Sequence, residues 1–217
     1  MSVTGSPTRG YRSDLRRRQA AETRARIVAA AAELFGELGY AGTTLARIAE
    51  RAQVSVETVQ KAGPKAALMR AAVEVSSFGV EGEVELSDLD EGKALLAVSD
   101  PAELAVSLGE LVTALNERVA GVWSALTGGA ALDPELDGYY RGMLAAIRAQ
   151  QERTLRALAG RGWLRDDVPF DELLAGLSVV TSVEAYLRYV RLDGRPREEY
   201  SRFVARIVRE TVLAREV

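Results

Sequence analysis

Residues 26–59 read RIVAAAAELFGELGYAGTTLARIAERAQVSVETV, and the fold turns on how this stretch is divided. Ile27, Ala31, Leu34, Phe35 and Leu38 fall at i, i+4, i+7, i+8 and i+11, one apolar face of a helix. Gly39 follows, a residue that can end a helix in the left-handed conformation. Thr43 or Thr44 is placed to cap a short helix, LARIAERA, with Leu45, Ile48 and Ala49 inward. Ser55 caps the next, VETVQKA, with Val59 inward and only the tight turn AQV between the two. A longer helix followed by two short ones across a tight turn makes a three-helix helix-turn-helix unit. Pro64 suits the first turn of a fourth helix, PKAALMRAAVEVSSF, which connects this unit to the rest.

Helical spacing continues downstream, and no run alternates convincingly enough for a half-buried strand, so the fold class is all-α. Residues 79–93, GVEGEVELSDLDEGK, set six acids against one lysine and read as a boundary loop, part of it helical. Asp100 and Pro101 open a long helix whose face runs from Leu104 through Trp123 to Leu126, broken by TGGAALDPEL. A second long helix spans 134–159 with Tyr140, Met143, Leu144, Ile147, Leu155 and Leu158 inward. The last two helices are 171–192, unbroken, and one beginning near Arg197 whose stripe is Tyr200, Phe203, Val204, Ile207, Val208 and Thr211. The expected organisation is an arm and helix-turn-helix unit at 1–63, then a larger helical body at 64–217 beginning with the connecting helix.

The chain of 217 residues contains no cysteine and no histidine. Disulfides, Cys or His metal ligands, thiol nucleophiles and every Ser-His or Cys-His catalytic pair are thereby excluded. No catalytic residue, metal site or cofactor is expected, and no paired-acid motif points to an enzyme. There is also no apolar run long enough to cross a bilayer and no apolar signal-peptide core, so the expectation is a cytoplasmic protein without membrane contact. The net charge of −3 is unevenly spread. Residues 1–75 hold twelve Arg and Lys against seven acids, leaving sixteen bases and twenty-four acids for the remainder. A basic segment on an acidic body fits a chain with one nucleic-acid-facing end; its alternative is a solvated basic tail.

In order and motif the chain resembles the TetR family of bacterial transcriptional regulators. The resemblance lies in an alanine-rich helix ending in Leu34-Phe35, then Gly39-Tyr40, Thr43-Thr44, Ile48-Ala49 and Val54-Ser55 ahead of the second short helix. The distal segments GRGWLRDDVPFDELLAGL and VEAYLRYVRLDGRPREEYSRFVARIV are similar to the C-terminal half of many members. The resemblance implies a homodimer on a near-palindromic double-stranded operator, released when a small-molecule effector binds the larger unit. Carried onto this sequence, the DNA-facing candidates are Arg17, Thr43, Thr44, Arg47, Ser55, Val56, Glu57, Gln60, Lys61 and Lys65. Val56 can touch a thymine methyl, Glu57 can accept from cytosine, and Gln60 can reach adenine or phosphate. The chain departs from the family pattern at residues 60–63. Gln60 stands where a tyrosine is usual, and no phenylalanine separates Ala62 from Gly63, leaving Leu68 or Tyr40 to fill its space.

Trp123, Tyr139, Tyr140, Met143 and Trp163 are the effector-pocket candidates, with Glu117 or Arg118 to orient a polar group; each is equally a core residue by type. Leu177, Tyr186, Tyr200, Phe203 and Ile207 are the dimer-facing candidates. The rival reading is a helical homodimer that binds a small molecule or protein and has lost DNA binding through the change at 60–63.

Overall fold

The computed structural model describes residues 9–82, 84 and 89–214; the first eight residues of the expected arm and the acids Glu83, Glu85 and Asp88 lie outside it. The chain opens with α1, Arg9–Gly42, a helix of 34 residues that kinks at Gly39, where φ is 70°. The expected stop at this glycine is thus a bend, with a last turn continuing beyond it. Next comes α2, Leu45–Ala52, with Thr44 Oγ1 accepting from the Arg47 N–H at 3.2 Å. In α3, Val56–Ala62, the Ser55 hydroxyl accepts from Thr58 N–H at 3.1 Å. Both caps satisfy donors that a helix start leaves without partners. Pro64 is the N-cap of α4, Lys65–Phe78, one place ahead of the expected first turn.

The body consists of α5 (Asp90–Ala97), α6 (Pro101–Ala130), α7 (Pro134–Gly160), α8 (Phe170–Val180), α9 (Val183–Tyr186) running into a π-helical stretch Leu187–Leu192, and α10 (Arg197–Thr211). Asp100 and Asp133 cap α6 and α7, each with proline in the first turn. No single described helix is long and apolar enough to cross a membrane.

The central element is α6. At Gly121 it crosses α1 so closely that a Cβ there would sit 3.3 Å from the Cα of Gly36. At Gly109 it meets α10, and a Cβ would lie 2.5 Å from the backbone oxygen of Ser201. The expected break at TGGAAL does not occur until after Ala130, because Gly129 lets the helix run on beneath a ring: its Cβ would fall 2.8 Å from Tyr40 and 2.9 Å from Leu136.

Two apolar cores result. One unites α1 to α4 with Val119, Val122, Trp123 and Leu126 of α6, Leu136 of α7 and Val183. The other joins α5, the first part of α6, the end of α7, α8 and α10. The division expected at residue 63 therefore marks no break in packing. In the first core Leu68 and Met69 are fully buried, and Tyr40 stacks on Phe35 with centroids 5.9 Å apart.

Three expectations need correction. The helix foreseen over 171–192 is broken at Thr181 and Ser182, whose hydroxyls bond locally to Leu177 O and Ala185 N–H, as such residues compete with the helical ladder. Asn116 braces the break, its amide donating to Thr181 O at 3.1 Å and Ser182 O at 3.2 Å. Leu144 and Ile147 do not face inward: α7 is held at its ends by Leu136, Leu155 and Leu158, and its middle stands off the body with both side chains about two-fifths exposed. Thr211 is exposed as well, because α10 ends there and the chain turns in at Val212 and Leu213.

Candidate nucleic-acid interface and effector residues

Helix α3 buries only Val59, so Ser55, Val56, Glu57, Gln60 and Lys61 all face solvent. Glu57 and Lys61 pair across one turn at 2.7 Å, an exposed contact of small energetic weight. Thr44 is exposed at the start of α2, and the exposed Arg47 folds back to donate to Gly42 O at 2.9 Å. Together the two place a helix start and a guanidinium at one corner, an arrangement that receives phosphate.

Two candidates turn inward instead. Thr43 is fully buried, its hydroxyl donating toward Gly39 O at 2.8 Å and Leu34 O at 3.0 Å, so it secures the bend at Gly39 and meets no phosphate. Lys65 donates to Tyr40 O at 2.8 Å and Thr43 O at 3.1 Å, with its ammonium 4.0 Å above the Tyr40 ring. A cation at the carbonyl end of a helix is stabilised there, and these carbonyls lie within the side chain's reach. Burial lowers the pKa of Lys65, opposed by the charge of Asp133. Tyr40 in turn donates its hydroxyl to Asp133 at 3.0 Å, and burial with that bond pushes its pKa up to about 12.

Beyond this unit α1 projects outward. Residues 14–22 are all exposed and carry Arg16, Arg17 and Arg18, of which Arg17 pairs with Asp14. At the base of the projection Arg24 donates to Ala62 O, the end of α3, at 2.8 Å and grips both carboxylate oxygens of Glu81 at 2.6 to 3.0 Å.

The effector candidates separate into two places. Trp123, Tyr139, Tyr140 and Met143 border the first core, whereas Trp163 packs on the second beneath Arg161, with its carbonyl accepting from Ala214 N–H at 2.8 Å. Trp163 thus clamps the chain's last described residues and takes no part in a shared pocket. Trp123 and Tyr140 meet edge to face with centroids 5.7 Å apart. Both donate to one oxygen of Glu184, the indole at 2.8 Å and the phenol at 3.2 Å. Burial raises the pKa of Tyr139 to about 12, with Glu74 adding to the shift, and burial raises that of Tyr140 with help from Glu184. Glu117 is occupied by Arg197, and Arg118 reaches Ser77 O at 3.4 Å. Glu184 escaped the sequence reading because only the break at 181–182 makes it the first turn of a new helix.

Among the dimer-facing candidates, Leu177, Tyr186 and Tyr200 lie inside the protomer, and Phe203 and Ile207 are partly buried against the same core. Tyr186 packs on Tyr200 at 5.3 Å and Tyr189 on Phe203 at 5.2 Å, so this stripe closes the monomer. The outer side of α10 carries the exposed Arg202, Arg206 and Arg209. On α8, Ala175, Gly176 and Val179 are exposed, the last at 70%, one of several exposed apolar positions that include Leu132 and Leu192.

Comparison with known proteins bears on this arrangement. Residues 27–61 match the family described as bacterial regulatory proteins, tetR family. The whole chain is similar to a transcriptional regulator from Saccharomonospora viridis solved in complex with choline, at 20% identity and TM-score 0.71 over 90% of this chain and all of that one. A TetR-family regulator from Mesorhizobium loti is similar at 20% identity and TM-score 0.67, covering 88% and 95% of the two chains. SmeT in its complex with triclosan is similar at 18% identity and TM-score 0.68, covering 89% and 92%. Among curated proteins none matches the chain.

Proposed function

By its residues 27–61 and by its fold this chain is a member of the TetR family of bacterial regulatory proteins, and we propose that it is a repressor released from a near-palindromic operator by a small molecule. The observation that carries the reading is the α3 face: five solvent-facing residues with donors, acceptors and one apolar tip, on a capped helix whose other side is fixed by Val59. Such a face fits the major groove, where side chains of these types read base edges. Arg16, Arg17 and Arg18, on the same α1 whose Arg24 touches the end of α3, extend the positive surface past the recognition helix, and we assign them to flanking phosphates. A second copy joined through the Val179 face of α8 supplies the other half-site, about 34–36 Å away. Effector control is supported by the ligand complexes of the similar structures and by the Trp123, Tyr140 and Glu184 cluster. It requires that the effector bind one separation of the two recognition helices better than the other.

The test is a fluorescence-anisotropy titration against the intergenic DNA beside the protein's own gene, over a range of salt, with unrelated DNA as control. Binding is expected to prefer the intergenic DNA and to weaken steeply with salt. Replacing Arg16, Arg17 and Arg18 together by glutamine is expected to reduce the slope of log K against log salt by about 2.7, at about 0.9 per phosphate contact. An unchanged slope removes the projecting helix from the interface. Failure to select any operator from a random pool, by a folded protein, replaces this reading with the DNA-silent one.

A further inference from the structure

Helix α3 is the shortest element of the DNA-facing unit, and it buries one side chain, Val59. Seven residues are too few for a helix to keep its shape without neighbours, so its last turn needs a partner from elsewhere in the chain. Gly63, at φ 137°, ends the helix with its N–H on Val59 O at 3.3 Å and Gln60 O at 3.2 Å. The partner is Arg24 of α1, whose Nη1 donates to the Ala62 carbonyl at 2.8 Å. A positive charge at the carbonyl end of a helix is favourable.

What aims Arg24 is Glu81. Its carboxylate takes Nε at 2.9 and 3.0 Å and Nη2 at 2.6 Å, the two-pronged pairing that a planar guanidinium allows. All three guanidinium nitrogens are thereby engaged, and the plane of the group is set from both sides. Glu81 belongs to the segment 79–82, whose residues are all exposed, Val80 among them. With no buried side chain, this segment is seated by polar bonds alone: Glu81 on Arg24, and the Gly82 N–H on Glu74 at 2.8 Å. Gly79 and Gly82, at φ 79° and 104°, turn the chain back after α4 so that both can form. Ala62 precedes α4 by three residues, and Glu81 follows it by three. One guanidinium thus closes a ring around the connecting helix, about 20 Å long, and ties the recognition helix to the far end of α4 as well as to its near end at Pro64.

We infer that Arg24 and Glu81 are positioning residues for the recognition helix: Glu81 sets the guanidinium, and the guanidinium sets the last turn of α3, which carries Gln60 and Lys61. A shift of the far end of α4 relative to α1 opens the ring at this ion pair and leaves that turn free. The pair is partly exposed and adds little to global stability, so its effect is local. The inference deepens the operator reading by naming what aims α3, and it rests on that reading only for the DNA arm of its test.

Arg24→Lys keeps the charge but loses the fork, and Glu81→Gln keeps an acceptor but loses the charge. Glu33→Gln is the control, since it too removes a carboxylate from a partly exposed arginine pair, that of Arg51, which does not involve α3. Amide hydrogen exchange is followed in the full-length protein without DNA at Lys61, Ala62 and Gly63. It is expected to be about tenfold faster in the first two variants and unchanged in the control. The melting temperature falls by no more than about 4 °C in any of them. A helix cap with no part in reading DNA would stop there, so the second readout is the ratio of affinities for an operator selected from a random pool and for an unrelated duplex. Arg24→Lys is expected to lower that ratio about fivefold or more while leaving the unrelated duplex, whose binding follows charge, as it was. Unchanged exchange at these three amides in either variant overturns the inference, and so does faster exchange with an unchanged ratio. If the parent selects no operator the repressor reading fails, while the exchange rates still decide whether the pair holds α3.

Discussion

A Gly109→Ala chain is about 3 kcal/mol or more less stable than the parent, an overpacking cost at the upper end of the usual range. The reason is the nature of what the added methyl meets. Its carbon would lie 2.5 Å from Ser201 O, 3.3 Å from Ala205 N and 3.4 Å from Ala205 Cβ. A flexible side chain could swing away, but two of these atoms are backbone in the middle of α10, so the whole helix must shift. Tyr200, Val204 and Val208 move with it, and all three are buried in the second core. Gly109 O also accepts the Thr113 hydroxyl at 2.7 Å, which limits relief by bending α6. For a chain of this size the melting temperature falls by about 6–12 °C. Gly128→Ala is the control: the same helix and the same change, with nothing within 4 Å of the new carbon, so it gains up to about 1 kcal/mol from helix propensity. Urea unfolding followed by circular dichroism compares the two. Equal responses would mean that α6 and α10 do not approach as closely as described.

The second large effect is alkaline. Tyr40 and Tyr139 have folded pKa values raised to about 12, and that of Tyr200 is raised as well, burial being the leading cause in each. An unfolded tyrosine releases its proton near pH 10. Between about pH 10 and 12 the folded chain therefore holds protons that the unfolded chain has lost, and stability falls as pH rises through that window. It is complete below pH 10. Two units correspond to about 2–3 kcal/mol for a single tyrosine, an upper figure for the partly exposed Tyr40. Lys65 opposes the trend, since its lowered pKa means that the folded chain releases that proton first. With no histidine or cysteine in the chain, little else titrates between pH 6 and 9, so urea midpoints are expected to be flat there and to drop steeply above pH 10. Tyrosinate absorbance should rise together with the loss of helix. Ionisation of all seven tyrosines near pH 10 in a folded chain would contradict the burial described for these three.

What the sequence disclosed was what depends on neighbours along the chain. The helix-turn-helix unit was legible because its signals are local: an apolar face from Ile27 to Phe35, two hydroxyl caps and a tight turn, all within 34 residues. The caps at Ser55 and Asp100 were readable for the same reason. What stayed hidden depends on distant partners. Lys65 looked like a phosphate ligand until its reach to Tyr40 O and Thr43 O was visible, and both acceptors lie more than twenty residues away. Tyr186 and Tyr200 carry the periodicity of an exposed dimer stripe, yet they serve the monomer core, since an apolar face does not say which surface covers it. The break at Thr181 and Ser182 depends on Asn116, 65 residues earlier, and with the break went the position of Glu184.

The crossing of Gly36 on Gly121 has a mechanical consequence. With no Cβ on either glycine the two helices come closest here, while Val119, Val122 and Trp123 of α6 pack against α1 around the crossing. One apolar core joins α1 to α4 and α6, which leaves no seam at residue 63 for a hinge. A tilt of α6 about this crossing would carry α1 with it. Arg16 lies twenty residues along α1 from the pivot, about 30 Å at the helical rise. A tilt of about ten degrees sweeps it through about 5 Å, more than the rise of about 3.4 Å between successive bases of one strand. An adjustment too small to disturb the packing around Gly36 is thus large at the scale on which the far end of the helix would meet a phosphate.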